Sequence, residues 1–245
     1  MAYLGIIFLL FTNMIFAIEF NSGDSKAVVV ELYTSEGCSS CPKADKWLSR
    51  LKTDKSLFKN IIPMAFHVDY WDYLGWEDPW ARAEFSSRQR ALTGEGGLSQ
   101  ETNPLFVGLL SQVYTPAFLV AGHEWSAWNR SDSLPIFEQE KTGVLSGSLD
   151  GQELTISYSE QGDYELNIAY LGMGLVTKVT SGENRFRKLE HDFVVLSHLK
   201  QKGQKQWLMS LPNIPEKGQQ ETAISIWVTK PDSLEVEQAV AAFIE

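Results

Sequence analysis

The run "KAVVVELYTS", Lys26 to Ser35, sets β-branched residues back to back, the pattern of a strand buried on both faces. Directly after it, "SEGCSSCPKADKW" holds the chain's two cysteines, Cys38 and Cys41, and then turns amphipathic. Ala44, Trp47, Leu48 and Leu51 fall at i, i+3, i+4 and i+7, the spacing of one helical face. A buried strand that feeds a helix through a short dithiol loop points to an α/β arrangement for this part of the chain.

The pattern continues. "NIIPMAFHVDYW" reads as a second buried strand, and Pro79 to Thr93 as a helix with proline near its first turn. Gly94 to Val113 ends in "LFVGLLSQV", a further short helix. "YTPAFLVAG" is a short strand, "HEWSAW" its hairpin partner, and "SDSLPIFEQEKTG" a closing helix capped by Asp132 or Ser133. Near Gly143 the texture changes to strict alternation. Leu154, Ile156 and Tyr158 share one strand face; Tyr164, Leu166, Ile168 and Tyr170 share another. Turn-rich segments such as "EQGD" and "PEKGQQ" separate the strands that follow, which suggests an antiparallel β-sandwich. Asp232 to Glu245 reads as a terminal helix with Leu234, Ala239, Val240 and Phe243 on its apolar side. Residues 26–143 and 144–245 are thus expected as two structural parts.

Charge narrows the partners. At a net −10, the chain offers no basic stripe for phosphates and no attraction to an anionic membrane surface. Residues 1–17, "MAYLGIIFLLFTNMIFA", carry an apolar run from Leu4 to Phe16 that suits a secretory signal peptide. The run has no Lys or Arg before it, so a retained anchor is the other reading. Export places the protein in the periplasm or outside the cell, where thiols meet an oxidising environment.

Two thiols two residues apart admit three chemistries. At a helix start, unpaired backbone N–H groups and the helix dipole favour thiolate, so Cys38 is the expected exposed nucleophile and Cys41 the resolving thiol. A metal site needs further ligands, and His67 with the two sulfurs would suit copper in a metallochaperone-like protein. A structural staple closing four residues gains only about 1.9 kcal/mol, and it would make the chain a non-catalytic interaction protein.

A strand, C-x-x-C at a helix start and a later Thr-Pro before a strand, here "VYTPAF", resemble a thioredoxin fold. The resemblance implies a cis Pro116 lying against the sulfurs, with Thr115 pairing with substrate backbone. The gap between Cys41 and Pro116 requires a largely helical insertion. "VELYTSEGCSSCPKAD", "FHVDYWDYLGWEDPWA" and "SGENRFRKLEHDFVV" together resemble a family of exported bacterial thioredoxin-like proteins catalogued as a domain of unknown function. The chain departs from that pattern at Glu36, where Gln is expected, and at Lys43, where Pro is expected. Glu36 would oppose thiolate at Cys38 and Lys43 would favour it.

The expected architecture is therefore a thioredoxin-like α/β domain with a helical insertion, followed by an antiparallel β-sandwich-like domain. The expected function is thiol–disulfide exchange with a thiol- or disulfide-containing substrate, without organic cofactor, and an extracytoplasmic redox partner resets the pair. Supporting candidates are His67 as proton shuttle, Asp69 as orienting group, and Trp71 in an aromatic patch with Tyr70, Tyr73, Trp76 and Trp80. Glu183 to Arg185 read as a turn, and His191 and His198 as residues on one strand pointing to opposite faces.

Overall fold

The computed structural model describes residues 17–93 and 109–244. In chain order the N-terminal elements are β1 (Ile18–Asn21), β2 (Val28–Thr34), α1 (Cys41–Ser49), β3 (Ile61–His67), α2 (Ala83–Leu92), β4 (Ala117–Val120) and β5 (His123–Glu124). The alternating region supplies β6 (Leu145–Asp150), β7 (Glu153–Tyr158), β8 (Tyr164–Met173), β9 (Leu175–Lys178) and β10 (Lys188–His191). It continues with β11 (Val194–Gly203), β12 (Gln206–Ser210), β13 (Glu221–Thr229) and β14 (Val236–Phe243).

One eight-stranded mixed sheet, ordered β14-β13-β8-β11-β3-β2-β4-β5, runs through both halves of the chain. β2 and β3 lie parallel from Val28 opposite Ile61 to Thr34 opposite His67. β3 also meets β11 in parallel at Ala65 and Val194, and the Ala65 N–H donates to the Phe193 carbonyl at 2.8 Å. A second sheet, β1-β6-β7-β12, covers one face. Leu154, Ile156, Leu166, Ile168 and Ile226 belong to the apolar cluster on that side. The other cluster holds Leu32, Phe66, Phe118 and Trp227, with Ala44 and Leu48 of α1 and Phe85 of α2. β9 and β10 form a separate two-stranded ribbon that reaches α1.

This architecture corrects the expected thioredoxin-like α/β domain with a helical insertion followed by a separate β-sandwich. Among the described residues there are two short α-helices, and strands from both halves share one large sheet. The physical reason lies at the edge of β3: its backbone groups find β11, so the alternating region extends the sheet instead of closing a sandwich of its own. The expected helix within Gly94 to Val113 falls mostly outside the described residues. Of the intervening segment, α2 and a 3₁₀ turn at Asp72–Leu74 are described.

Two further helices give way to extended chain. Val236–Phe243 pairs along β13, from Ala223 opposite Phe243 to Thr229 opposite Val236. Its apolar residues suit either period, and an unpaired sheet edge decides for the strand. Residues 131–143 form no helix; Pro135 interrupts them, and Lys141 bridges to Ser25.

Candidate dithiol site

β2 and β3 end side by side at Thr34 and His67, and β4 begins next to Tyr33. The dithiol loop leaves β2 at this point. It turns twice, with the Cys38 N–H donating to the Ser35 carbonyl and the Cys41 N–H to the Cys38 carbonyl, each at 3.2 Å. α1 begins at Cys41 itself, with Pro42 in its first turn where a missing N–H costs nothing. Cys38 thus lies in the loop ahead of the helix, not within its first turn.

Both cysteines are free thiols, and both are buried. The expected exposed nucleophile, Cys38, is only 1% exposed, while Ser39 and Ser40 beside it face solvent. Cys38 Sγ lies 3.3 Å from Ser40 Oγ and 3.9 Å from the Thr115 carbonyl oxygen. The Thr115–Pro116 bond is cis. Trp71 Nε1 donates to Thr115 Oγ1 at 2.8 Å, so the indole holds the threonine at the sulfur. Gly37 sits against the same indole: a Cβ there would lie 2.7 Å from Trp71 Cβ.

The two thiols differ electrostatically. A hydrogen bond from Cys41 lowers the Cys38 pKa to about 6 against the pull of burial, with help from Ser40 and Thr115. Burial pushes the Cys41 thiol well up, and the neighbouring Cys38 and Asp45 push it the same way. The two sulfurs are thus pushed in opposite directions, Cys38 toward thiolate and Cys41 toward thiol. Lys43 is exposed on α1.

Behind the cysteines lies a buried acid–histidine cluster. His67 Nδ1 meets Asp78 Oδ2 at 2.7 Å, and the same oxygen accepts the Glu36 N–H at 2.8 Å. The Glu36 carboxylate does not face Cys38. It accepts from Trp76 Nε1 at 2.8 Å and from His191 Nε2 at 3.0 Å. His191 Nδ1 lies 3.6 Å from Asp45 Oδ2, and the other Asp45 oxygen accepts the Thr34 hydroxyl at 2.8 Å. Burial opposes charge on His191, but the Glu36 hydrogen bond and the Asp45 carboxylate beside it raise its pKa. Burial raises that of Asp45. Asp78 is held low despite its burial, chiefly by the His67 ring.

The remaining candidates divide. Asp69 is tied to Ser86 of α2, giving and taking one hydrogen bond each, and so orients that helix instead of the dithiol. Tyr70 donates to Gln89 at 3.0 Å, Trp80 is buried, and Tyr73 is 82% exposed, so the aromatic patch is not one surface. His67 is engaged by Asp78, and among the described residues no group of three or more His, Cys, Asp or Glu side chains is placed to hold a metal ion.

Sequence reasoning missed the contribution of the β9–β10 ribbon. The Asn184 amide, fully buried, donates to the Glu36 carbonyl at 2.7 Å and the Cys38 carbonyl at 2.9 Å. Glu183 accepts the Ser39 N–H at 3.0 Å. His191 and His198 are on different strands, β10 and β11, and only His191 joins the site. The "SGENRFRKLEHD" stretch was the available signal, since its Asn and His sit far from any predicted catalytic element.

The class so defined is a mixed-sheet protein with a C-x-x-C dithiol at the head of a short helix, clasped by a β-ribbon over a buried acid–histidine cluster. The chain belongs to a protein family of unknown function, DUF1223, whose model matches residues 29–229. Its fold is similar to the crystal structure of an Agrobacterium tumefaciens protein, with 20% identity over 89% of this chain and 93% of that one and a TM-score of 0.55. A weaker similarity links it to HBP35 of Porphyromonas gingivalis, with 14% identity, 90% and 76% coverage and a TM-score of 0.49. No curated protein matches the chain.

Proposed function

We propose that the protein carries out thiol–disulfide exchange through Cys38 and Cys41. The observation that carries this reading is two free thiols at the head of α1, with Cys38 Sγ against Ser40 Oγ and the carbonyl of the cis Thr115–Pro116 bond; the hydrogen bond from Cys41 draws the Cys38 pKa down to about 6, while burial pushes Cys41 up. A thiolate is the attacking species in exchange, and a pKa close to ambient pH balances its abundance against its nucleophilicity. Cys38 Sγ attacks one sulfur of a partner disulfide, and the other partner sulfur leaves as thiolate. Cys41, once deprotonated, attacks Cys38 Sγ, closes the Cys38–Cys41 bond and releases the second partner thiolate. The partner gains two electrons and the dithiol loses them; the reverse sequence oxidises a partner dithiol.

The carbonyl of Thr115, in the cis Thr115–Pro116 bond, lies 3.9 Å from Cys38 Sγ, and a partner chain would lie along this segment. The expected setting is extracytoplasmic, with a second redox protein resetting the pair, and the alternating C-terminal part serves to clasp the loop and to recognise partners. The test is a trap. Cys41→Ser protein mixed with a small aromatic disulfide should accumulate a stable mixed disulfide on Cys38, seen by mass spectrometry. Wild type should release both aromatic thiols, and Cys38→Ser should form no adduct. An adduct on Cys41 instead, or none on Cys38, would sink the reading.

A further inference from the structure

Five buried ionisable side chains from five parts of the chain meet behind the dithiol. Glu36 comes from the dithiol loop, Asp45 from α1, His67 from β3, Asp78 from the loop before α2 and His191 from β10, and none is more than 5% exposed. Three carboxylates face two imidazoles, so even with both rings charged the cluster is one positive charge short of neutral. Asp45 Oδ2 and His191 Nδ1 stand 3.6 Å apart, the His67 and His191 rings are 5.0 Å apart, and Asp45 Oδ2, His67 Nε2 and His191 Nδ1 make no hydrogen bond. An uncompensated charge in such a place is costly, so a proton gained or lost there changes how firmly the elements hold one another. Only His191 belongs to the β9–β10 ribbon, and it grips Glu36 of the same loop whose Glu36 and Cys38 carbonyls Asn184 holds.

We propose that this cluster is a proton-operated latch: the proton held between His191 and Asp45 keeps the β9–β10 ribbon shut on the dithiol loop, and its loss as pH rises lets the ribbon lift and bare Cys38. The lifting concerns the ribbon alone; its consequence for the dithiol rests on the exchange reading above. With the proton in place, His191 donates from Nε2 to Glu36 and sets a positive charge against Asp45. Without it, a neutral ring that still donates from Nε2 turns the Nδ1 lone pair toward Asp45 Oδ2, acceptor against acceptor at 3.6 Å.

Burial opposes charge on His191, but the Glu36 hydrogen bond and the Asp45, Glu36 and Asp78 carboxylates raise its pKa above the ordinary 6.5. Burial raises that of Asp45 against the pull of His191 and His67. Both groups hold protons more tightly with the ribbon shut, so the latch is strongest below pH 6.5 and weakens as pH rises through the raised His191 value. Asp78 has the opposite sign and acts outside this range, its contribution being lost as pH falls below 3.8. Of the other groups near the pair, Cys41 is coupled to Asp45 through α1. On the open side of β10, Lys52 is paired with Asp192 and Lys188 with Glu190, while Lys46 and Arg187 face solvent.

Hydrogen exchange at the ribbon amides, read by mass spectrometry and corrected for its intrinsic pH dependence, follows the latch, and imidazole NMR follows its proton. Both use the full chain carrying Cys38→Ser, which removes a thiolate that titrates in the same range. Protection over residues 175–191 should fall by up to about tenfold per pH unit from about pH 6.5, and level off at the midpoint where the His191 ring titrates. Asp45→Asn with His191→Gln keeps both shapes and removes both protons, so protection should then stay within about twofold from about pH 6 to about pH 9. The agreement between level-off and ring midpoint carries the test if that double variant fails to fold. Protection that does not fall, that levels off away from the His191 midpoint, or that falls as steeply in the double variant overturns the latch and leaves the exchange reading untouched. Failure to trap a mixed disulfide on Cys38 overturns the exchange reading and the latch's bearing on it, while the pH dependence of the ribbon stands.

Discussion

The Cys38 sulfur owes its charge chiefly to one neighbour. Cys41 is the largest influence lowering its pKa to about 6 from an ordinary value of 9.0. Cys41→Ala should therefore move the Cys38 midpoint upward, and Cys41→Ser, which keeps a donor, should move it less; titration of the ultraviolet thiolate absorbance reads both. A folded-state pKa below the unfolded one stabilises the reduced protein fully above about pH 9, and the gain disappears as pH falls through about 6. Denaturant unfolding of the reduced protein should show that rise between the two values. Gly37 is a second residue-scale constraint. A Cβ there meets Trp71 Cβ at 2.7 Å, so Gly37→Ala should cost about 1–3 kcal/mol in chemical denaturation as the indole shifts off Thr115. At this scale the sequence was informative where chemistry is local. Cys38, Cys41, Thr115 and Trp71 come together, whereas Asp45 was not singled out, because its place beside His191 depends on β10.

At the scale of elements, the β9–β10 ribbon is what locks the dithiol loop. Asn184 satisfies two carbonyls of that loop, and Glu183 its Ser39 N–H. Asn184→Ala leaves both carbonyls buried without that donor, at a cost of about 1–3 kcal/mol. The loosened loop should expose Cys38, so its alkylation rate should rise at a pH where the thiolate fraction is unchanged. Equal alkylation rates in mutant and wild type would mean that the ribbon does not limit access. The positions of β2, β3, α1, β7 and β8 were legible because burial and alternation are written into adjacent residues, whereas the single strand read through His191 and His198 is two, β10 and β11. The turn at Glu183–Arg185 was also legible, but its reach to Cys38 was not, since nothing local encodes a contact across so much chain. β14 was misread because Val236–Phe243 satisfies both periods, and only the open edge of β13 selects one.

At the scale of the whole molecule, the sheet joins what the sequence separates. β11 beside β3 brings the alternating half of the chain against the strand that ends at His67. The ribbon then packs on α1, and Asn184 and His191 reach the dithiol loop. No change of texture along the chain could announce this, because hydrophobic alternation specifies a strand's faces and leaves open which strand it will join. A consequence is that the dithiol site is built from both halves together, and the expected division at 143 and 144 separates the dithiol loop from Asn184 and His191, which contact it. The most direct test of that account is the reduction potential of the Cys38–Cys41 pair against pH, measured in a glutathione series with Cys38→Ser as control. A two-electron couple that takes up two protons falls by about 59 mV per pH unit, and one that takes up a single proton by about 30 mV. The account predicts a reversible transition above about −250 mV, absent in Cys38→Ser, whose slope halves as pH rises through about 6. A pair that stays oxidised beyond about −300 mV, or a slope near 59 mV per unit that continues unbroken through neutral pH, would contradict it.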